Sequence, residues 1–508
     1  MAYLIGIDLG TTRIKAIVVD ETGRQHRVVS APTPSRDEGD GRVVYEGAAL
    51  WSVIVRLIRE LVSQIDPGQV AGVACASMGE AGFLVDDQGR ELFPALAWFD
   101  PRTRPIAEEL VARLGRETLR SITGLPADFT YSVSKLLWYR EHDRARFQRA
   151  RYWLNMADWV AFRLSGVAAT DFSLASRTMA FDVRQEVWSS EILDECGLEA
   201  SLLPTPVPGG TRVGRVTGPA ARETGLPEDV SVCSGAHDQL ASALAVGATR
   251  ESRVLNSCGT AETILTALSA DGFERALPHQ EVVIGHHLFP SLFYGMTTLR
   301  TSGLSATWFV REMLTGTDPD YDELGRRAEQ SEVGARGLRF FPYFRTSADV
   351  VGAPDAAMIL GLRDFHTNAD LARALLEGLS FEARRLLDRL QKGAGVAPKV
   401  VRAVGGSTAN RCWMQLKADV MGLPLQVAAH QEGAGFGAAL LAGLGSGLLT
   451  ETDLNRLSEG STRQFSIRAE EHAKYAGLYQ HHLELLPLAL EGARRAGRDE
   501  RRGDVSPK

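Results

Sequence analysis

The chain has 508 residues, 44% of them hydrophobic and 23% charged. That is the composition of a globular protein too long for one ordinary core, and it points to two large domains, or three. A formal net charge of −7 argues against general affinity for nucleic acid or an anionic membrane, and no uninterrupted apolar run is long enough to span a bilayer. The five scattered cysteines, Cys75, Cys196, Cys233, Cys258 and Cys412, contain no CxxC. They argue against a disulfide framework or a zinc site and fit a reducing compartment. The opening MAYLIGIDLG goes straight into a strand without a basic n-region or cleavage site, so the expectation is a cytoplasmic protein without a signal peptide.

In chain order, the first element is a hairpin. Tyr3 to Ile7 and Ile14 to Val19 are runs of β-formers, and Asp-Leu-Gly-Thr-Thr between them reads as a tight polar turn. Glycine lets the backbone approach a ligand closely, and the following N–H groups and hydroxyls suit a phosphate. An ordinary α/β hairpin with a polar turn is the plainer alternative. A helix is expected from about Ala48 to Gln64, a buried strand over Val70 to Ala76, a turn at Asp86 to Gly89 and a strand over Ala95 to Trp98. Residues 104 to 200 are mostly helical in pattern, broken at Thr123-Gly-Leu-Pro126. The proline-rich Leu202 to Pro208 reads as a loop or subdomain joint.

Ser252 to Leu255 and Ile264 to Ala267 are strand-like and flank Asn256-Ser-Cys-Gly-Thr-Ala-Glu-Thr263. This repeats the opening pattern at the start of the second half and implies two similarly built domains, each with one phosphate-binding hairpin. The expected boundaries are 1–247 and 248–493. The charged stretch from Arg494 to Lys508 lacks apolar periodicity and is expected to be frayed or disordered.

Two further junctions could carry chemistry. Ser234-Gly-Ala-His-Asp-Gln239 follows a strand-like Val230 to Cys233 and precedes an Ala-rich helical segment. Asp238 there reads either as a helix N-cap or as a general base for a hydroxyl attacking phosphorus; His237 reads as structural. Val404-Gly-Gly-Ser-Thr-Ala-Asn410 either brings a base or ribose close to the backbone or is a simple strand-to-helix turn. Gly433-Ala-Gly-Phe-Gly-Ala-Ala439 suits close helix packing: it lacks the preceding strand and later acid of a dinucleotide site. No GxxxxGK[ST] motif is present, which excludes a P-loop enzyme.

These pieces together resemble the FGGY family of carbohydrate kinases, within the actin-like ATPase superfamily, over about residues 3 to 490. Thr123-Gly-Leu through Ser132-Val-Ser-Lys-Leu-Leu-Trp138 resembles one family signature, with Lys135 and Trp138 as its K-x-x-W core. Ala357-Met-Ile-Leu-Gly-Leu362, followed by Asp370 to Glu377, resembles the second. The resemblance implies an α/β fold of two actin-like (ribonuclease H-like) domains with a cleft between them. ATP and Mg²⁺ would lie mostly on the second domain, and the sugar mostly on the first. It implies Asp238 as catalytic base and Asp8 as the Mg²⁺ residue, acting through water. Thr11, Thr12 and Lys15 match the first phosphate loop, and Gly259 and Thr260 the second. Gly303 matches a nucleotide-contacting glycine, and Gly406 and Asn410 match the adenosine site. Met78, Glu80, Trp98, Asp100 and Arg102 match substrate contacts. A homodimer is one option that the family allows and the chain does not fix.

The substrate expected is a pentulose or related open-chain sugar, as for xylulokinase- and ribulokinase-like members. Near Met78 the sequence reads Ser-Met-Gly-Glu, with Gly79 where xylulose and glycerol kinases carry an imidazole or basic side chain, and Thr130 stands where glycerol kinases carry a tyrosine. Sugar acids such as gluconate, and alditols such as erythritol or, less well, glycerol, stay open. So does a different class: a non-kinase actin-like ATPase, a filament former or a sugar sensor.

Overall fold

The computed structural model describes residues 1–315, 321–344 and 356–503. Two mixed sheets dominate it, and they share one plan. In the first, Gln25–Pro32, Arg13–Asp20 and Tyr3–Leu9 run antiparallel. Val70–Ser77 and then Ser231–Cys233 add in parallel, and Arg212–Arg215 closes the edge antiparallel. In the second, Phe293–Leu299, Glu262–Leu268 and Arg253–Cys258 run antiparallel. Val400–Val404 and Leu425–Ala428 add in parallel, and Ser461–Phe465 closes that edge; Val283–His286 extends the other. The repeat legible in two short hairpins therefore extends to whole sheets.

Local chemistry explains the elements. Val70–Ser77 is almost wholly buried, as a parallel strand covered on both faces must be. The helix Gly47–Val62 buries Leu50, Trp51, Ile54, Leu57, Ile58 and Leu61, a stripe at the three-to-four spacing that turns one helix face to a sheet. The long helix Asn368–Ala394 starts with a capping box of Thr367 and Asp370 and stops at Gly395 in the left-handed conformation.

The helices Asp238–Ala245 and Gly433–Ser446 lie between the sheets, where Leu4, Ile17, Leu240, Leu255, Val404 and Phe436 share one core. Small residues make this possible. A Cβ on Gly6 would sit 2.0 Å from the Gly435 carbonyl oxygen, and one on Gly437 would sit 1.9 Å from that of Ala241. The close-packing reading of Gly433 to Ala439 holds. Yet this helix, which belongs by sequence order to the second domain, packs on the first sheet.

Other expectations shift. The 104–200 region adds short strands to its helices, including Tyr152–Asn155 paired with Gly82–Val85. Within the proline-rich joint, Thr205–Val207 pairs in parallel with Ala169–Asp171, because an edge position spares Pro206 the donor it lacks. The strand at Ala95 ends at Leu96. The last helix, Ala469–Gly503, continues through 494–503, where no regular structure was expected. Once nucleated by packing, a helix adds residues cheaply, and Glu491 pairs with Arg495 at 2.8 Å one turn on. Residues 504–508 lie outside the described residues. Among the described residues, no helix is long and apolar enough to cross a membrane.

Candidate active site

Both hairpin tips reach solvent, at Thr12 and at Gly259–Thr260. In the first, the turn itself is only Gly10, Thr11 and Thr12; Asp8 sits within the strand Tyr3–Leu9, directly opposite Lys15. The tip is braced by Thr33, whose hydroxyl donates to the Gly10 carbonyl (2.7 Å) and whose N–H donates to that of Thr12 (3.0 Å). Trp98 Nε1 donates to Thr11 Oγ1 at 3.1 Å. Lys15 Nζ is engaged by Glu432 at 2.5 Å, so the predicted phosphate contact is tied to the segment that enters the interlobe helix. Gln431, one residue earlier, accepts from Thr408 Oγ1 in the Gly405–Asn410 turn.

Asp238 is the first residue of its helix, and His237 occupies the cap position, so the capping explanation of Asp238 fails. Its side chain keeps 26% exposure although it is seated deep among protein atoms. Desolvation pushes its carboxyl up to about 8, and the Asp8 charge adds to the shift. Burial likewise raises Asp8 to about 6, with Lys15 opposing. Asp8 thus raises Asp238, while the Glu432 charge adds to the rise of Asp8 itself. His237 is held neutral by burial and by Arg177; its Nε2 lies 3.3 Å from Asp238 Oδ1.

The residues predicted for the sugar side differ in what holds them. Glu80 takes a left-handed φ of 64°, a strained conformation for a non-glycine residue, and is held by a buried ion pair with Arg177. Arg177 also donates to the Tyr294 hydroxyl and lies over the Tyr131 ring. A Cβ on Gly79 would meet the His237 ring at 3.0 Å and Arg177 at 3.4 Å. The space a larger residue would need there is filled by His237 and Arg177, neither of which the sequence singled out for substrate. Met78 is buried, and its N–H donates to Leu9.

Asp100 and Arg102 sit together as an ion pair. Asp100 is fully buried, and its oxygens are taken by Arg102, through backbone and guanidinium, and by the Val43 N–H. Arg102 is further paired with Glu38 at 2.9 Å and lies over the Trp138 ring. The pair balances its own charge and ties the loop to Val43 and Glu38. Trp98 keeps partial exposure, with the Arg300 guanidinium of the second half over its ring. The Lys135 ammonium of the first signature is wholly buried and donates to the carbonyls of Thr130 and Trp98, so it positions the sugar-side loop. Burial lowers it to about 8.

On the nucleotide side, Gly259 and Thr260 form an exposed tip. Gly303, in the first turn of the helix Ser302–Phe309, packs so tightly that a Cβ would lie 2.3 Å from the Gly259 carbonyl oxygen. Gly406 is exposed with open space around it; its neighbour Gly405, at φ 100°, is the one the backbone requires, 2.6 Å from the Cys258 carbonyl oxygen. Asn410 is a buried cap: Oδ1 accepts from the Trp413 N–H and Nδ2 donates to the Tyr321 carbonyl. One donor and one acceptor position of its amide are thus used within the protein. The tip residue Cys258 is buried, and desolvation pushes its thiol to about 11.

Two similarly built lobes, each with a Gly-Thr hairpin, and a partly exposed aspartate at a helix start have the plan of a two-lobed phosphotransferase. Models of the FGGY family of carbohydrate kinases match the chain over residues 3–245 for the N-terminal domain and 254–446 for the C-terminal domain. The chain belongs to this family. It is 28% identical over 493 residues to a xylulose kinase of Lactococcus lactis, covering 94% of this chain and 95% of that protein. It is 26% identical over 447 residues to an L-fuculokinase of Escherichia coli, covering 87% and 92%. The solved xylulose kinase of Rhodospirillum rubrum superposes with a TM-score of 0.85 at 27% identity, covering 96% of this chain and 99% of that one. Kinases of this family use ATP.

Proposed function

We propose that the chain transfers the γ-phosphoryl group of ATP to a hydroxyl of an open-chain pentulose, with xylulose as the first candidate. The observation that carries this is Asp238: a helix-start carboxylate, partly exposed and raised to about 8 by burial with the Asp8 charge adding. The relatives named xylulose kinase support the sugar.

Asp238 accepts the hydroxyl proton as the sugar oxygen bonds to the γ-phosphorus and the bond to the ADP oxygen breaks. The exposed tips at Thr11–Thr12 and Gly259–Thr260 offer N–H groups and hydroxyls to the phosphate oxygens, and such fixed donors supply much of phosphoryl-transfer catalysis. Trp98 offers the sugar an apolar wall, and the Glu80–Arg177 pair offers a polar one. The residues suit Mg²⁺: Asp8 and Asp238 are carboxylates close enough for the Asp8 charge to raise the Asp238 carboxyl. That matches an ion held by one or two carboxylates, water and phosphate. Bound at Asp8, Mg²⁺ would supply the charge that screens the phosphates. The cytoplasm is the compartment proposed.

A coupled ADP-release screen with Mg-ATP against pentuloses, hexuloses, alditols and aldonates tests this. The expected result is a strong signal with one pentulose that falls roughly 10²–10⁴-fold in Asp238→Ala. Slow, substrate-independent hydrolysis would overturn the kinase reading; a signal only with an aldonate or alditol would overturn the pentulose.

A further inference from the structure

Behind the second hairpin lies an ionic cluster that the proposed chemistry does not use. Lys417, on the helix Arg411–Met421, and Glu262, the first residue of the strand Glu262–Leu268, are both 0% exposed and 2.5 Å apart. Lys417 Nζ also donates to Asn256 Oδ1 at 3.1 Å and to Cys258 Sγ at 3.3 Å. An ammonium has three N–H bonds, so its donors are spent. Glu262 Oε1 additionally accepts from Asn256 Nδ2 at 2.9 Å, and its Oε2 accepts from Ser302 Oγ at 2.6 Å.

The cluster grips both legs of one hairpin. Asn256 and Cys258 belong to the incoming strand and Glu262 to the outgoing one, opposite Cys258 in the register. Ser302 begins the helix whose Gly303 wedges against Gly259, and the Leu304 N–H donates to the Thr260 carbonyl at 3.2 Å. From the other side Gly405 packs on Cys258. Burial alone would push the Lys417 ammonium down, but the Cys258 sulfur and the Glu262 carboxylate hold it above its ordinary value.

A fully desolvated ion pair is a poor source of net stability, since apolar residues of similar volume often do as well, while a lone buried charge is costly. Its distinctive property is geometric: each hydrogen bond fixes a direction that an apolar contact leaves free. We infer that Lys417 and Glu262 are positioning residues that hold the exposed Gly259–Thr260 tip in register with the transferring phosphate. This rests on the reading of that tip as a γ-phosphate contact.

The test compares Lys417→Met with the double variant Lys417→Met/Glu262→Gln, using melting temperature, kcat and both KM values, with Thr260→Val beside them. The single variant strands a buried carboxylate and should melt lower. The double variant is neutral and should regain most of that melting temperature. Its kcat should stay down about 10- to 100-fold, the scale of a small misplacement, with the sugar KM unchanged. A double variant with wild-type kcat would overturn the inference. Should that variant fail to fold, Ser302→Ala, which removes one bond to Glu262, should lower kcat at unchanged melting temperature; unchanged kcat there overturns it equally. Full activity in Thr260→Val would instead bring down the reading of the tip and the inference with it. Loss in Thr260→Val with none in the pair variants brings down the inference alone.

Discussion

The two hairpins share a fold and differ in where they keep their charge. The first carries Asp8 and Lys15 on facing strand positions beside the cleft, over an apolar core, and its lysine reaches across the lobes to a partly exposed Glu432. The second carries no charge at its exposed tip; its ionic groups, Glu262 and Lys417, face backward into a dry foot. One hairpin offers charge to what lies between the lobes, and the other offers backbone and a hydroxyl held from behind. Duplicated topology therefore does not mean duplicated work, because side chains on alternate faces of a strand lie in different dielectrics.

The largest expected effect breaks this comparison if it fails. Asp8→Ala should lower kcat by roughly 10²–10³-fold, the scale of removing one electrostatic stabiliser. Thr260→Val should cost less, because the backbone N–H groups of the second tip remain. Steady-state kinetics at saturating Mg-ATP measure both, and equal losses would mean that the hairpins work alike.

Gly405→Ala sharpens the comparison from the stability side. A methyl group there meets the Cys258 carbonyl at 2.6 Å in a backbone conformation that disfavours side chains. A loss of about 1–3 kcal/mol is expected, read as a lower melting temperature, with a larger relative loss of kcat if the second tip shifts.

The smallest effect lies at the far end of the first hairpin. Burial opposes ionisation of Asp20, but bonds from the Thr22 hydroxyl, His26 and the N–H groups of Arg24 and Thr22 hold its carboxyl down at about 2, below the ordinary 3.8. A lowered folded-state value means stability that is present above about pH 4 and lost as pH falls toward 2. About 1–2 kcal/mol is expected, seen as a shallower acid-unfolding profile in Asp20→Asn. An unchanged profile would remove Asp20 from that account.

The sequence carried the hairpins well because their signal is local: alternation of β-formers around a Gly-Thr turn needs no distant partner. Asp238 was legible for the same reason, at a strand-to-helix junction. That Asp100 and Arg102 pair with each other was not legible, because type and spacing do not show which side chains meet. Arg177 was invisible: it lies 97 residues from Glu80, in a segment without any motif. Lys417, a helical lysine among apolar residues, gave no sign of a partner 155 positions earlier.

By itself, then, the sequence determined the class of elements, the two-lobed plan and the Gly-Thr turns of the two hairpins, since propensity and turn chemistry act over a few residues. Tertiary structure alone decided which charges meet the cleft and which are buried behind it. Those depend on desolvation and on contacts between segments hundreds of residues apart. The same lysine is a surface cation or a buried strut according to what packs around it.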